Sequence, residues 1–313
     1  MSTTIKDLVD RVYREYLEPN DDIQSFSITR QEITDTTTTT VSYEADYLTT
    51  EEEDAMGAGA FIEINLELML IVSLNTADET LTVKRGARGT TASTHAEGDL
   101  IKINPPFIRV NVFNAVKDQI ENLYPTLFAV ETQTISSGTG YVALTGSDDS
   151  RIVAPLKAVS QYTSISGDQT SVQFRGVSIE LIDVPTTVTS TGKVVQFSGI
   201  SSGVNVHCTF KKKFGDVSLE TNTLAEIGLE TEYEPIIMAG VAAQMIAGKD
   251  IPSATTEYIS DAIQANVYQV GSSTNIRNSL LQYQQVLIQQ ARKDLRARYP
   301  EPVSLNSVVY PSA

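Results

Sequence analysis

The sequence predicts an α+β fold: a helical body drawn from the two ends and the middle of the chain, with two β modules inserted into its connections. Three observations predict it. Apolar residues recur at helical spacing in four separated segments, stretches of short alternating runs rich in β-branched residues lie between them, and prolines and glycines punctuate the changes. The 313 residues divide accordingly into 1–23, 104–130 and 216–313 as body and C-terminal tail, 24–103 as a small β module, and 131–215 as a β-sandwich-like insertion. With 41% apolar residues the chain is long enough to bury cores in each part.

Taken in order, Ile5, Leu8, Val9, Val12, Tyr13, Tyr16 and Leu17 predict an amphipathic helix over 3–17, with Ser2 or Thr3 as its cap. Phe26-Ser27-Ile28-Thr29, the threonine run 36–40 and Leu81-Thr82-Val83-Lys84 read as strands of the first β module. The run Glu51-Glu52-Glu53-Asp54 reads as a solvated loop, since it lacks the spaced oxygen ligands of a calcium site. Pro105-Pro106 closes the module, and Phe113, Val116, Ile120, Leu123, Tyr124 and Leu127 return to helical spacing until Pro125 ends or bends the helix. In the second β stretch Val204, Val206, Cys208 and Phe210 alternate with Asn205, His207 and Thr209, while Gly138-Thr139-Gly140 and Gly146-Ser147-Asp148-Asp149 read as turns. Pro235 opens a helix whose residues 236–247 are apolar on nearly every side and must be buried. A shorter helix is expected over 255–270 and a long one over 275–298, which Pro300 and Pro302 stop.

The charge narrows the function. Residues 1–60 hold fourteen acidic residues against four basic ones, within a net charge of −16, so a phosphate-binding footprint is not expected. No run approaches the ~20 apolar residues of a membrane helix. The first residues lack the basic and apolar regions of a signal peptide, and the expectation is a soluble protein made in a cytoplasm, without membrane contact. A single cysteine, Cys208, excludes an intrachain disulfide framework.

Tests for chemistry mostly fail. His95 and His207 are the two histidines, and His207 points away from its neighbour Cys208 on a strand, so neither forms an evident triad. Gly240 and Gly248-Lys249 have the wrong spacing for a phosphate loop, with Asp250 where Ser or Thr is required. Gly57-Ala58-Gly59 precedes a strand and marks a turn. The expectation is therefore a structural assembly protein, not an enzyme, with no catalytic residue, metal or cofactor. Arg292, Lys293, Arg296 and Arg298 gather at the end of the last helix, where they complement the helix dipole or dock an acidic neighbour, such as another copy of this chain. Val308, Val309 and Tyr310 in the tail either reach a partner as an added strand or fold back on their own body.

Residues 58–103 run through Ala60-Phe61-Ile62-Glu63-Ile64 and Leu68-Met69-Leu70-Ile71-Val72 to Arg85-Gly86-Ala87-Arg88-Gly89-Thr90-Thr91, His95-Ala96 and Gly98. This segment resembles a hairpin element of tailed-bacteriophage structural proteins, in which an arginine-glycine turn precedes Gly-Thr-Thr, a His-Ala pair and a closing glycine. Gly86 and Gly89 permit left-handed turns, and Arg85, Thr90 and His95 read as loop anchors. With helices at 3–17, 107–124, 235–247 and 275–298, the chain resembles the head-to-tail connector (adaptor) proteins of tailed phages, whose core is a small helical bundle. The hairpin covers under a fifth of the chain, the chain is much longer than a minimal adaptor, and 131–215 has no counterpart in the small helical form. The resemblance implies a virion protein of the neck: a self-assembled, dodecameric ring beneath the portal protein that contacts a tail terminator or other tail protein and lets DNA pass without specific binding. A tail or baseplate component is the alternative. A carbohydrate-binding or hydrolytic virion module ranks below both, as the chain has no tryptophan and no recognisable carboxylate pair.

Overall fold

The computed structural model describes residues 3–17, 26–138, 140–146, 148–166, 169–247 and 273–300. They form two compact units, one of residues 3–119 with 235–284, the other of 120–234 with 285–300.

In the first unit, α1 (Ile5–Val12) runs into a wider π turn, Tyr13–Leu17. Its cap is Thr4, not Ser2 or Thr3: the Asp7 amide donates to Thr4 Oγ1 at 3.1 Å while the Thr4 amide donates to Asp7 Oδ2 at 2.8 Å. Ile5, Leu8, Val9 and Val12 form its buried face, and the Tyr13 hydroxyl donates to the Phe107 carbonyl at 2.9 Å. Strands β1 (Phe26–Ile28), β2 (Thr40–Ser42), β3 (Phe61–Ile64), β4 (Glu67–Asn75), β5 (Thr80–Lys84) and β6 (Leu100–Ile103) make one antiparallel sheet in the order β1-β6-β3-β4-β5-β2.

The sheet curls until its edges meet. Just beyond β1 and β2, Thr29 bridges Tyr43, the Arg30 amide donates to Ser42 O at 3.0 Å and the Glu44 amide donates to Ile28 O at 3.1 Å. Curling leaves no open edge and encloses a core that includes Val41, Tyr43, Ile62, Ile64, Met69 and Ile71. Each such side chain contributes about 1.5–3 kcal/mol by leaving water. Of the threonine run only Thr40 enters a strand; the Thr37 and Thr38 amides instead donate to Asp35 Oδ1 at 2.7 and 2.6 Å. The acidic run is a short helix, α2 (Thr50–Asp54), and not a loop, because Thr49 and Glu52 cap it reciprocally.

Helix α3 (Arg109–Leu123) follows, and the division between the units falls within it and within α5 (Ser273–Arg298). Between them α4 (Glu234–Ile246) is buried nearly all round, as its composition requires. One polar layer interrupts these apolar surfaces. Gln284 Nε2 donates to Gln119 Oε1 at 2.8 Å and to the Ile236 carbonyl at 3.2 Å. Gly240 makes the room, since a Cβ there would stand 2.2 Å from both Gln119 Oε1 and Gln284 Nε2.

The second unit holds β7 (Ala129–Ser136), β8 (Tyr141–Ala143), β9 (Ile152–Ser166), β10 (Gln169–Gly176), β11 (Ser178–Asp183), β12 (Lys193–Ser198) and β13 (Asn205–Lys212). They form a four-stranded sheet, β10-β9-β13-β7, and a three-stranded sheet, β11-β12-β8. The two share a core in which Ile135, Val206, Cys208 and Phe210 meet Leu144 and Val195.

The expected helical body is overturned. Among the described residues thirteen strands stand against five helices, and a curled six-stranded sheet is the largest single element, so the chain is strand-rich and only broadly α+β. Helical periodicity marks which face of a segment is buried; it does not say against what. The helix expected over 255–270 lies outside the described residues.

Candidate functional site

Two arrangements carry the sequence-predicted residues. In the first, Glu67 opens β4 with its side chain fully buried. Its Oε1 accepts from Arg85 Nε at 2.7 Å and the Gly86 amide at 3.1 Å; its Oε2 accepts from Arg85 Nη2 at 2.7 Å, the Ser93 amide at 3.0 Å and His95 Nε2 at 2.9 Å. Burial pushes this carboxyl up, but the donors outweigh burial and hold it at about 2. A carboxylate that stays ionised has no proton to give, so His95 Nε2 is the donor.

Gly86 adopts φ 61°, where a Cβ would stand 2.9 Å from the Thr90 carbonyl oxygen, and Gly89 adopts φ 84°. The Leu68 amide donates to Thr90 Oγ1 at 3.1 Å. Thr90 thus ties down Leu68, while Arg85, Gly86 and His95 close on its neighbour Glu67, a residue absent from the sequence reading. A charged residue within the apolar run Leu66-Glu67-Leu68-Met69 was its one signal. Ser93 Oγ lies 3.4 Å from the same His95 Nε2 that meets Glu67, whereas a triad places nucleophile and acid on opposite ring nitrogens of its histidine. The cluster clamps a turn.

The second arrangement lies at the end of α5. Arg292 and Arg296 stand one helical turn apart beside a cleft of about 150 Å³, with Lys211 on another wall and buried Phe128 and Leu295 beneath. Strand alternation sends Lys211 to the face opposite Lys212: Lys211 Nζ sits 4.4 Å from the Phe128 ring centre, and Lys213 Nζ, just past the strand, sits 5.5 Å from that of Tyr124. Lys212 points the other way and pairs with Glu131.

The four predicted docking cations are not equivalent. Arg298 is committed to Glu230 at 3.0 Å and Glu232 at 2.7 Å. Arg292 and Arg296 flank the cleft, while Lys293 is exposed and does not line it. Val308, Val309 and Tyr310 lie outside the described residues. The sequence reading missed Lys211 and Lys213, although three consecutive lysines in so acidic a chain were visible.

A larger cleft in the same unit, about 410 Å³, keeps no cation to spare: Lys212 pairs with Glu131 and Asp148, Arg151 pairs with Asp148, and Asp149 and Glu226 also line it. Among the described residues no group of three His, Cys, Asp or Glu side chains is placed to hold a metal, and no helix is long and apolar enough to cross a membrane. The chain matches no protein-family model, and no curated protein matches it.

Proposed function

We propose that the chain is a structural virion protein of a tailed phage that assembles as a symmetric ring at the neck, joining the portal to the tail and leaving a channel for DNA. The observation that carries the reading is the arginine-glycine hairpin. Its motif resembles that of phage structural proteins, and its polar residues close inward on Glu67 around a fully buried histidine. Such a turn supports a shape-bearing part more than a reactive one. Cys208 fits the same reading, because burial pushes its thiol up to about 12 and leaves it a poor nucleophile.

The acidic excess suits a channel along which DNA passes without adhering. A ring requires one surface of each subunit to meet a different surface of the next. The strand-rich architecture favours a second reading, a tail or baseplate component. Electron microscopy of the purified protein, alone and mixed with isolated portal rings, separates the two. Rings, or added density beneath the portal, are expected. A persistent monomer that ignores the portal would transfer the assignment to the tail.

A further inference from the structure

The two arginines at the α5 cleft lack what Arg298 has. Arg292, Lys293 and Arg296 make no ion pair among the described residues, in a chain with 39 acidic and 23 basic residues. Arg292 and Arg296 sit four apart on one helix face; Asp294, two residues from each, projects from another. Buried Phe128 and Leu295 exclude water from the floor, which strengthens the attraction of a carboxylate to the rim. Guanidinium groups match carboxylates as two-pronged donors. The cleft is therefore built for a pair of carboxylates about one helical turn apart.

The same chain carries such a pair. The densest acidic run is on α2, where Glu52 is spent on the Thr49 cap at 2.8 Å and Glu53 accepts from the Tyr43 hydroxyl. Glu51 and Asp54 remain exposed, three apart on one face, and make no ion pair among the described residues. We infer that the α5 cleft receives the Glu51 and Asp54 face of α2 from a neighbouring copy of this chain, Arg292 and Arg296 each taking one carboxylate. The inference rests on the ring reading, for it supplies the two unlike surfaces that a closing contact needs.

Charge exchange tests it. Full-length Arg292→Glu/Arg296→Glu and Glu51→Arg/Asp54→Arg proteins are made, checked by circular dichroism for wild-type melting, and followed by sedimentation velocity alone and on portal rings. Each variant alone is expected to need at least about tenfold more protein to assemble than wild type. An equimolar mixture should recover assembly, because each reversed surface then meets its complement. The neutral pair Arg292→Gln/Arg296→Gln serves if reversal unfolds the chain, and should weaken assembly without being rescued. Wild-type-like assembly of the cleft variants overturns the inference and leaves the ring reading standing. Loss of assembly that mixing fails to restore shows that α2 is not the occupant and likewise overturns it. A wild-type protein that assembles neither alone nor on the portal sinks both.

Discussion

At the scale of single residues, Glu67 has the strongest consequences. Its carboxyl is held at about 2 against an ordinary 4.5, so the folded state binds its proton less readily than the unfolded chain. The resulting stabilisation is fully present above pH 4.5 and is lost as pH falls from there towards 2; it is on the order of 3 kcal/mol. Replacing Glu67 by Gln would strand the nearly buried Arg85 guanidinium, and should cost about 3–5 kcal/mol in urea melts at pH 7. The loss between pH 4.5 and 2 should also shrink in the variant, though not vanish, because Asp35 is held at about 2 by the Thr38 and Thr37 donors and titrates in the same window. Equal pH 7 stability of variant and wild type would mean that the clamp does not hold the turn. Cys208 gives a second expectation: a thiol pushed up to about 12 by burial should resist alkylation at pH 8 until the chain is unfolded. Rapid labelling of the native protein would contradict the inward register of β13.

At the scale of elements, Gly240 and the glutamine layer make the sharpest case. Alanine normally stabilises a helix interior by about 1 kcal/mol relative to glycine. Here its Cβ would stand 2.2 Å from the ends of Gln119 and Gln284, which must then part and leave the buried Gln284 amide short of a partner, at a cost of about 1–3 kcal/mol. Gly240→Ala should therefore destabilise the chain, and the sign should reverse in a Gln119→Ala/Gln284→Ala background, as read from denaturant midpoints in a double-mutant cycle. The same elements show what was legible beforehand. Apolar spacing located α1, α3 and α5, Pro235 and an all-round apolar run located α4, and alternation located β13, because each is a short-range pattern. The Thr49-x-x-Glu52 box is legible too, and it makes α2 a helix where the acidic run alone reads as a loop. The meeting of Thr29 with Tyr43 that closes the barrel, and of Glu67 with Arg85 and His95, depends on register between distant segments. No local period encodes that. The expected helical body failed for the same reason: four sound helix readings carried no information about the sheets against which helices pack.

At the scale of the whole molecule, the proposed ring would bring together copies carrying −16 each. Their general repulsion acts over the Debye length, about 30 Å at 0.01 M salt and about 10 Å at 0.1 M, so modest salt should promote assembly. A contact between the Arg292 and Arg296 rim and the Glu51 and Asp54 face responds differently. Acting at hydrogen-bond range over an apolar floor, it should survive 0.1 M salt and yield only when the screening length approaches about 3 Å near 1 M. The two effects together predict a maximum: assembly followed by sedimentation velocity should rise from 0.01 to about 0.1 M sodium chloride and fall again towards 1 M. A purely apolar interface would instead strengthen monotonically as repulsion is screened, and that profile would remove charge pairing from the contact. With the cleft neutralised by Arg292→Gln/Arg296→Gln, the descending limb should disappear while the ascending limb remains. The net charge of the chain sets the first limb, and the cleft the second.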